Sequence, residues 1–303
     1  MIKLNFHLGI DVNNSMEQKH PIPKVTIGMP VYNGERHIRE ALNSLLAQSF
    51  KDFELIISDN ASTDSTGSIC REYTHRDERI RYVRQSENRG IVANFQFVLD
   101  EARGEYFMWA AHDDVWDARW IETLLTTTEA CPCLAYGFVQ SIDRNGRAMN
   151  HPANKRKFEF SGNRFIRRCK YFIAPDFGGK ANPIYGLMPL QQLKDIGISS
   201  LYVNNNGRDM IFLYGLLNSM EIRHGGNVFL YKRILCESAA GEIAAKSNSS
   251  SRIVSALKNV LGWSMLTEYV KRSTTPESLC LVLCYPFCVS RSIAYKIRRL
   301  MML

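Results

Sequence analysis

The sequence predicts an α/β protein with a Rossmann-like, mostly parallel central sheet flanked by helices, and a basic helical C-terminal extension. Three observations carry this. Short, continuous apolar runs alternate with stretches of helical periodicity along the first third of the chain. Four successive apolar runs end in polar side chains, as strands of an open parallel sheet do where they face a ligand. The chain has 303 residues, 45% hydrophobic and 22% charged, a balance that supports a sizeable core.

Taken in order, residues 1–23 read as a leader ending in "HPIP". "KVTIGMPVY" is a buried strand, nearly continuous in apolar residues. In "NGERHIREALNSLLAQ", Ile38, Leu42, Leu45 and Leu46 recur at helical spacing. "FELIIS" is a second strand, and "DNASTDSTGSICREYTHR" a loop entering a helix that Asp64 or Ser65 can cap. "IRYVRQ" is a third strand, "ENRG" a turn, "IVANFQFVLDEA" a helix and "EYFMWAA" a fourth strand. The second half is less regular. It offers a strand in "LAYGFVQSID", a turn in "RNGR", and a helix in "FEFSGNRFIRRCKYFI". A Gly/Pro-rich stretch then leads to a short helix ending in "LQQLKDIG", followed by a helix in "RDMIFLYGLLNSM" and a strand in "NVFLYKRIL". "SAAGEIAAKSNSSS" has linker composition, and a basic helical region follows it. No internal repeat is visible.

The net charge is +8, but it is not evenly spread. From Ala245 to Leu303 nine Lys/Arg face two Glu, so the excess belongs to the tail. No nucleic-acid motif accompanies those basic residues, which excludes nucleic acid as the expected partner. "SRSIAYKIRRLMML" can lie on an anionic membrane surface through Ile293, Ile297 and Leu300, or pack as a helix on the catalytic domain. The longest apolar run, "SLCLVLCYPFCV", is too short to span a bilayer. No signal peptide is evident in "MIKLNFHLGIDVNN". The expectation is a cytoplasmic protein, peripheral on the inner face of a membrane. Eight cysteines show no paired CxxC spacing and read as reduced thiols. Cys280, Cys284 and Cys288 share one helix face, which Pro286 is expected to interrupt.

The strand ends collect Tyr32 and Asn33, Asp59 and Asn60, Asn88 and Arg89, and Asp113 and Asp114 at one sheet edge. Adjacent aspartates repel, and a divalent cation relieves that cost. Mg²⁺ or Mn²⁺ takes one or two carboxylates and completes its shell with phosphate oxygens. One of the two aspartates can hold the metal and the other a ribose hydroxyl or a group behind it. Alone, the pair reads equally well as a helix start in "DDVWDARWIE". Asp59 can accept from the imide N–H of uracil or thymine, or make an Asx turn. Tyr32 can stack on a base or pack in the core. Asn88 and Arg89 can cap the next helix, whose N-terminus can face phosphate.

"KVTIGMPVYNGERHIREALNSLLAQSFKDFELIISDNASTDST", then "ENRGIVANF", then "GEYFMWAAHDDVW" resembles the family 2 glycosyltransferases of GT-A fold, from residue 24 to about 235 and most strongly over 24–120. The resemblance implies a nucleoside diphosphate sugar bound through Mg²⁺ or Mn²⁺, with Pro30, Val31 and Tyr32 against the base, Asp59 on the base, and Asp113 and Asp114 at ribose and metal. It implies a catalytic domain over 24–237, with a nucleotide-sugar half at 24–130 and an acceptor half at 131–237, then a linker and basic tail at 238–303. One departure stands out. Where the family often carries D-x-D-D, this chain has Ala111 and His112 before the two aspartates. Against that pattern Asp114 is the favoured metal ligand, with Asp113 toward the ribose or also on the metal, and His112 is expected to hydrogen-bond rather than ligate.

Transfer with inversion requires a base for the acceptor hydroxyl. Asp209 in "NNNGRDMIFLYGLL" stands between a Gly/Asn-rich loop and an apolar helix, where the family commonly places its base; Asp195 competes but reads as a surface helix end. Lys232 and Arg233 are candidate phosphate partners. The expected function is metal-dependent, inverting transfer from a UDP- or dTDP-sugar to a hydroxyl of a glycan or lipid-linked acceptor in surface polysaccharide synthesis. A sugar nucleotidyltransferase would want a glycine run with Lys/Arg after the first strand, which "MPVYNGERHI" lacks. A non-catalytic nucleotide- or carbohydrate-binding protein is the other alternative, kept open by the missing first carboxylate.

Overall fold

The structure, a computed structural model, describes residues 22–202, 207–235 and 263–301. The leader up to residue 21, the linker sequence, Cys236 and the start of the tail lie outside the described residues.

A five-stranded sheet has the order β3-β2-β1-β4-β7, formed by Ile80–Arg84, Phe53–Asp59, Val25–Val31, Tyr106–Trp109 and Met188–Pro189. The first four are parallel and β7 pairs antiparallel to β4. β1 and β2 are buried at every position, the burial expected of strands covered by helices on both faces. Register then fixes chemistry. Val31 pairs with Asp59 and Asp59 with Arg84, so three strands deliver their last residues to one edge. β4 stops at Trp109, opposite Gly28, and the acidic pair lies on the loop beyond it.

A second sheet of order β5-β8-β6 comprises Val115–Trp116, Glu221–Arg233 and Cys133–Ile142. A bridge between Ala135 and Leu187 joins it to the first. The helices are α1 Ile38–Leu46, α2 Thr66–Thr74, α3 Ile91–Asp100, α4 Trp120–Ala130, α5 Arg164–Ile173, α6 Leu190–Ile196, α7 Arg208–Leu216, α8 Trp263–Lys271 and α9 Thr275–Met301. One apolar cluster packs α1, α2 and α4 onto the sheets. A second joins α3, α5, α6 and α7 to Leu266, Tyr269 and Leu281 of α8 and α9, so the tail helices share the core of the rest.

Several elements differ from the sequence expectation. α1 begins at Ile38 because the residues before it form a turn, with His37 N–H donating to the Gly34 carbonyl. The acidic pair does not open a helix: β5 intervenes and α4 starts only at Trp120. The helix expected from Phe158 begins at Arg164, where the Asn163 side chain accepts from Ile166 N–H, while Phe160 bridges Ile222 in extended backbone. The N-cap of α3 is Gly90, whose N–H donates to Asn88 Oδ1 at 2.9 Å, so Asn88 acts on the residue before the first turn and not within it. β8 begins six residues before the expected start at Asn227, since a bulge beside Tyr136 and Phe138 absorbs its glycines. Gly226 has φ +126°, a conformation other residues rarely adopt.

The tail also departs. α9 runs through Pro286, which lies on its exposed side, where solvent can satisfy the carbonyl the proline leaves unpaired. Thr275–Ala294 is therefore a 20-residue helix of mean hydropathy 1.3, long and apolar enough to cross a membrane by length and composition. Counting the apolar run to its first breaks understated it. The seven described cysteines are free thiols.

Candidate active site at the sheet edge

The loops after β1 and β2 are laced together. Asn33, at φ +50°, donates its N–H to Ser62 Oγ at 2.9 Å, and its Oδ1 accepts from Thr63 N–H at 2.8 Å. Gly34 N–H donates to Thr66 Oγ1 at 2.8 Å. Gly34 is also where His112 approaches: a Cβ there would lie 2.6 Å from the imidazole Cδ2 and 2.8 Å from Val31. These bonds hold Tyr32 at the loop's start with 44% of its surface exposed. Pro30 and Val31 are buried in the sheet, so they position Tyr32 rather than offering their own side chains.

Asp59 is fully buried. Its Oδ1 accepts from Ser62 N–H at 2.8 Å, and its Oδ2 from Tyr82 Oη at 2.7 Å and Arg84 Nη1 at 2.9 Å. Arg84 also donates to the Ser62 carbonyl at 2.7 Å. A carboxylate has about four lone-pair positions, so three are committed to bracing this loop. Asn60 extends the brace. Its Nδ2 donates to Asn88 Oδ1 at 2.8 Å, and its Oδ1 accepts from Arg89 N–H at 2.9 Å. Asn88 and the backbone of Arg89 thus fix the β3–α3 turn, while the Arg89 side chain remains exposed. Tyr82, Arg84 and Asn94, whose amide bonds Ser58, escaped sequence reasoning. Only Arg84 offered a signal, as a charged residue closing a strand beside the other polar strand ends.

Asp114 is 2% exposed. Its Oδ1 accepts from Arg233 N–H at 2.8 Å, while its Oδ2 is buried without a hydrogen-bond partner. Burial pushes its carboxyl up to about 7, Lys232 opposes that, and Asp113 adds to it. Such a carboxylate is poised for a cation. Asp113 is half-buried beside it. Among the described residues no group of three or more His, Cys, Asp or Glu could hold a metal. The residues present nevertheless fit Mg²⁺ or Mn²⁺ of the kind that takes one or two carboxylates and shares its remaining shell with substrate phosphate. His112 is held neutral, burial lowering its pKa against the pull of Asp113.

Arg233 is not a phosphate partner. Its side chain is 1% exposed, ion-paired with Glu40, and donates to the carbonyls of Asp113 at 2.8 Å and Asp143 at 3.0 Å. It fixes the acidic loop from behind. Lys232, its neighbour on the alternating strand, has its amine 4.5 Å from the ring centroid of Tyr185 and bears on both Asp114 and Asp209. The Tyr185 phenol is driven far up by burial and then by Asp114, Asp209 and Asp113. Asp113, Asp114, Asp209, Tyr185 and Lys232 therefore share one electrostatic neighbourhood.

Asp209 stands in the first turn of α7, whose N-cap is Gly207, so it does not serve as the cap. Burial raises its pKa, opposed by Lys232 and Arg208. Asp195 is exposed at the end of α6, accepting from Gln191 at 2.8 Å, and lies outside this cluster.

Residues 26–183, just over half of the chain, match the family model described as Glycosyl transferase family 2. Among curated relatives, glycosyltransferase GlyA of Streptococcus pneumoniae serotype 4 is 37% identical over 101 residues, 33% of this chain and 14% of GlyA. The uncharacterized glycosyltransferase RC0461 of Rickettsia conorii is 33% identical over 177 residues, 57% of this chain and 28% of that protein. The chain spans well under half the length of either. In structure, it resembles S. aureus TarS 1–349 with a TM-score of 0.58 at 16% identity, covering 89% of this chain and 87% of TarS 1–349. It also resembles the mannosyltransferase PcManGT of Pyrobaculum calidifontis, solved with GDP-Man and Mn²⁺, with a TM-score of 0.56 at 17% identity, covering 90% and 73%. A sequence match over more than half the chain, on a sheet with the GT-A architecture of these enzymes, makes this chain a glycosyltransferase of family 2.

Proposed function

We propose that the protein is a metal-dependent, inverting glycosyltransferase that moves a sugar from a UDP- or dTDP-sugar to a hydroxyl of a glycan or lipid-linked acceptor in surface polysaccharide synthesis. The observation that carries this reading is the meeting of Asp114, with its unpartnered buried oxygen, and Asp209, with its raised pKa, around Lys232 and Tyr185. One group suits a bridged diphosphate and the other suits proton transfer. A related fold solved with UDP-GlcNAc, that of TarS, and one solved with GDP-Man and Mn²⁺ support a nucleotide-sugar donor and a divalent cation.

In this reading the base stacks on Tyr32 beside the Asp59–Arg84 pair, and the β3–α3 turn carrying Asn88 and Arg89 closes the nucleotide side with Asn33. Asp114 and Asp113 hold the cation, which when bound neutralises charge on the departing diphosphate. The acceptor oxygen attacks the anomeric carbon as the bond to the diphosphate oxygen breaks, and the leaving diphosphate keeps the electron pair. Asp209 takes the hydroxyl proton. Lys232 bears on both carboxylates and opposes the rise that burial imposes on Asp209. The segment from Asn182 to Tyr185 faces the acceptor. Segments 24–130 and 131–237 divide these donor and acceptor tasks.

The test is a panel of nucleotide sugars with and without Mn²⁺, read by calorimetry and by product formation. Asp209→Asn is expected to lose about 10² to 10⁴-fold in transfer rate while nucleotide affinity stays nearly unchanged. Full activity in that variant overturns the base assignment. Absence of any uridine or thymidine diphosphate binding under saturating Mn²⁺ overturns the donor reading.

A further inference from the structure

α9 has two faces of opposite character. On the inner face, Glu277 pairs with Arg164 at 3.3 Å and Arg168 at 3.7 Å, and accepts from Thr274 N–H at 2.8 Å. Leu281 is fully buried, Cys280 lies 3.3 Å from Cys169 of α5, and Arg291 donates to the Ile173 carbonyl. These contacts pin the helix along α5. On the outer face, Leu279, Val282, Leu283, Phe287 and Ile293 are 62%, 53%, 71%, 58% and 37% exposed. Their spacing follows the helical repeat, and Pro286 and Ser290, also exposed, fall on the same stripe. A continuous apolar stripe of this length open to water marks an interaction surface.

Charge selects the occupant. After Glu277 the helix has no acidic residue, and its sequence then carries Arg291, Lys296, Arg298 and Arg299. An apolar stripe that leads, along the chain, into Lys296, Arg298 and Arg299 with no acidic residue among them complements an anionic bilayer interface. Only 11% of the Thr275–Ala294 stretch is buried, but spanning does not follow. Crossing the hydrocarbon would strip Glu277 from two arginines and Arg291 from its carbonyl. The inner face stays on the protein, so the helix lies in the interface plane.

We propose that the outer face of α9 docks the enzyme on an anionic phospholipid bilayer as an interfacial, non-spanning helix. α8 links this face to the site. Tyr269 meets Tyr214 of α7 edge-on with centroids 4.7 Å apart, and Met265 packs against Gly207, two residues before Asp209. Surface and site belong to one packed unit, so docking sets the orientation of α7 to the membrane. The docking does not depend on which donor sugar the enzyme uses.

The test is sedimentation of the full chain with phosphatidylcholine vesicles, with and without phosphatidylglycerol, at low and high salt. Binding is expected to the phosphatidylglycerol vesicles and to fall with salt. Leu283→Asp and Phe287→Asp should each weaken it on the order of tenfold or more, with unfolding midpoints and nucleotide affinity unchanged. Three results overturn the proposal: no vesicle binding at low salt, equal binding to both vesicle types, or undiminished binding by both variants. A lipid-free dimer in light scattering that Leu283→Asp splits, without vesicle binding, would assign the face to a second copy and overturn it as well.

Discussion

Asp114 is the residue on which burial and function conflict. Its buried, unpartnered oxygen costs stability in the metal-free protein, a cost of order 1–3 kcal/mol for such a group. Asp114→Asn is therefore expected to raise the metal-free unfolding midpoint by a few degrees. If the proposed donor and cation bind as described, UDP with Mn²⁺ stabilises the wild type through the folded state, and the same variant should lose that gain. Thermal shift with and without Mn²⁺ reads both effects. Asp209 poses a titration question. As the proposed base it acts only when ionised, so transfer is expected to fall as pH drops through its folded pKa, which burial places above the ordinary 3.8. Lys232→Met removes a charge that opposes this rise. The acidic limb of the rate–pH profile should then move to higher pH, and an unmoved limb would refute the pairing of Lys232 with Asp209.

At the scale of elements, β8 does the positioning. Its bulge at Gly225 and Gly226 lets a single strand pair first with Cys133–Tyr136 and then with Phe138–Ile142 in a shifted register. It leaves Lys232 facing the acids and Arg233 behind them. Gly226→Ala places a side chain at φ +126° with its Cβ 2.8 Å from Thr123 Cγ2. A loss of about 1–3 kcal/mol is expected in urea unfolding. A partial loss of transfer should accompany it, as Lys232 shifts. The parallel strands of the first sheet were legible because burial on both faces forces continuous apolar runs. β8 was legible only from Asn227 onward, because "EIRHGGN" mixes charges and glycines that make sense only once the bulge and the partner strand β6 are in place.

At the scale of the molecule, the tail is not an appendage. Leu266, Tyr269 and Leu281 are buried in the cluster that also holds Phe212, Leu213 and Tyr214 of α7. Ending the chain after Leu235 would expose that apolar surface beside the candidate base. The truncated protein is expected to aggregate, or to unfold at markedly lower temperature and lose transfer, as light scattering and calorimetry would show. Linker composition and basic charge left open whether the tail packs on the domain or lies on a membrane, because composition records solubility and not contacts between remote segments.

What the sequence determined by itself was local and periodic: the alternation of strand and helix, the polar ends of four strands, and the ordered motifs over 24–120. These are set by neighbours along the chain, through side-chain alternation and burial on two faces. The tertiary structure decided which of those polar groups brace the site and which are open to it. Asp59 and Arg233 turn inward to hold loops, Asp114 keeps a buried oxygen unpartnered, and Tyr185 and Lys232 arrive from distant segments to join Asp209. Such roles depend on what packs across the site, and pairing between remote segments leaves no period in the chain to read.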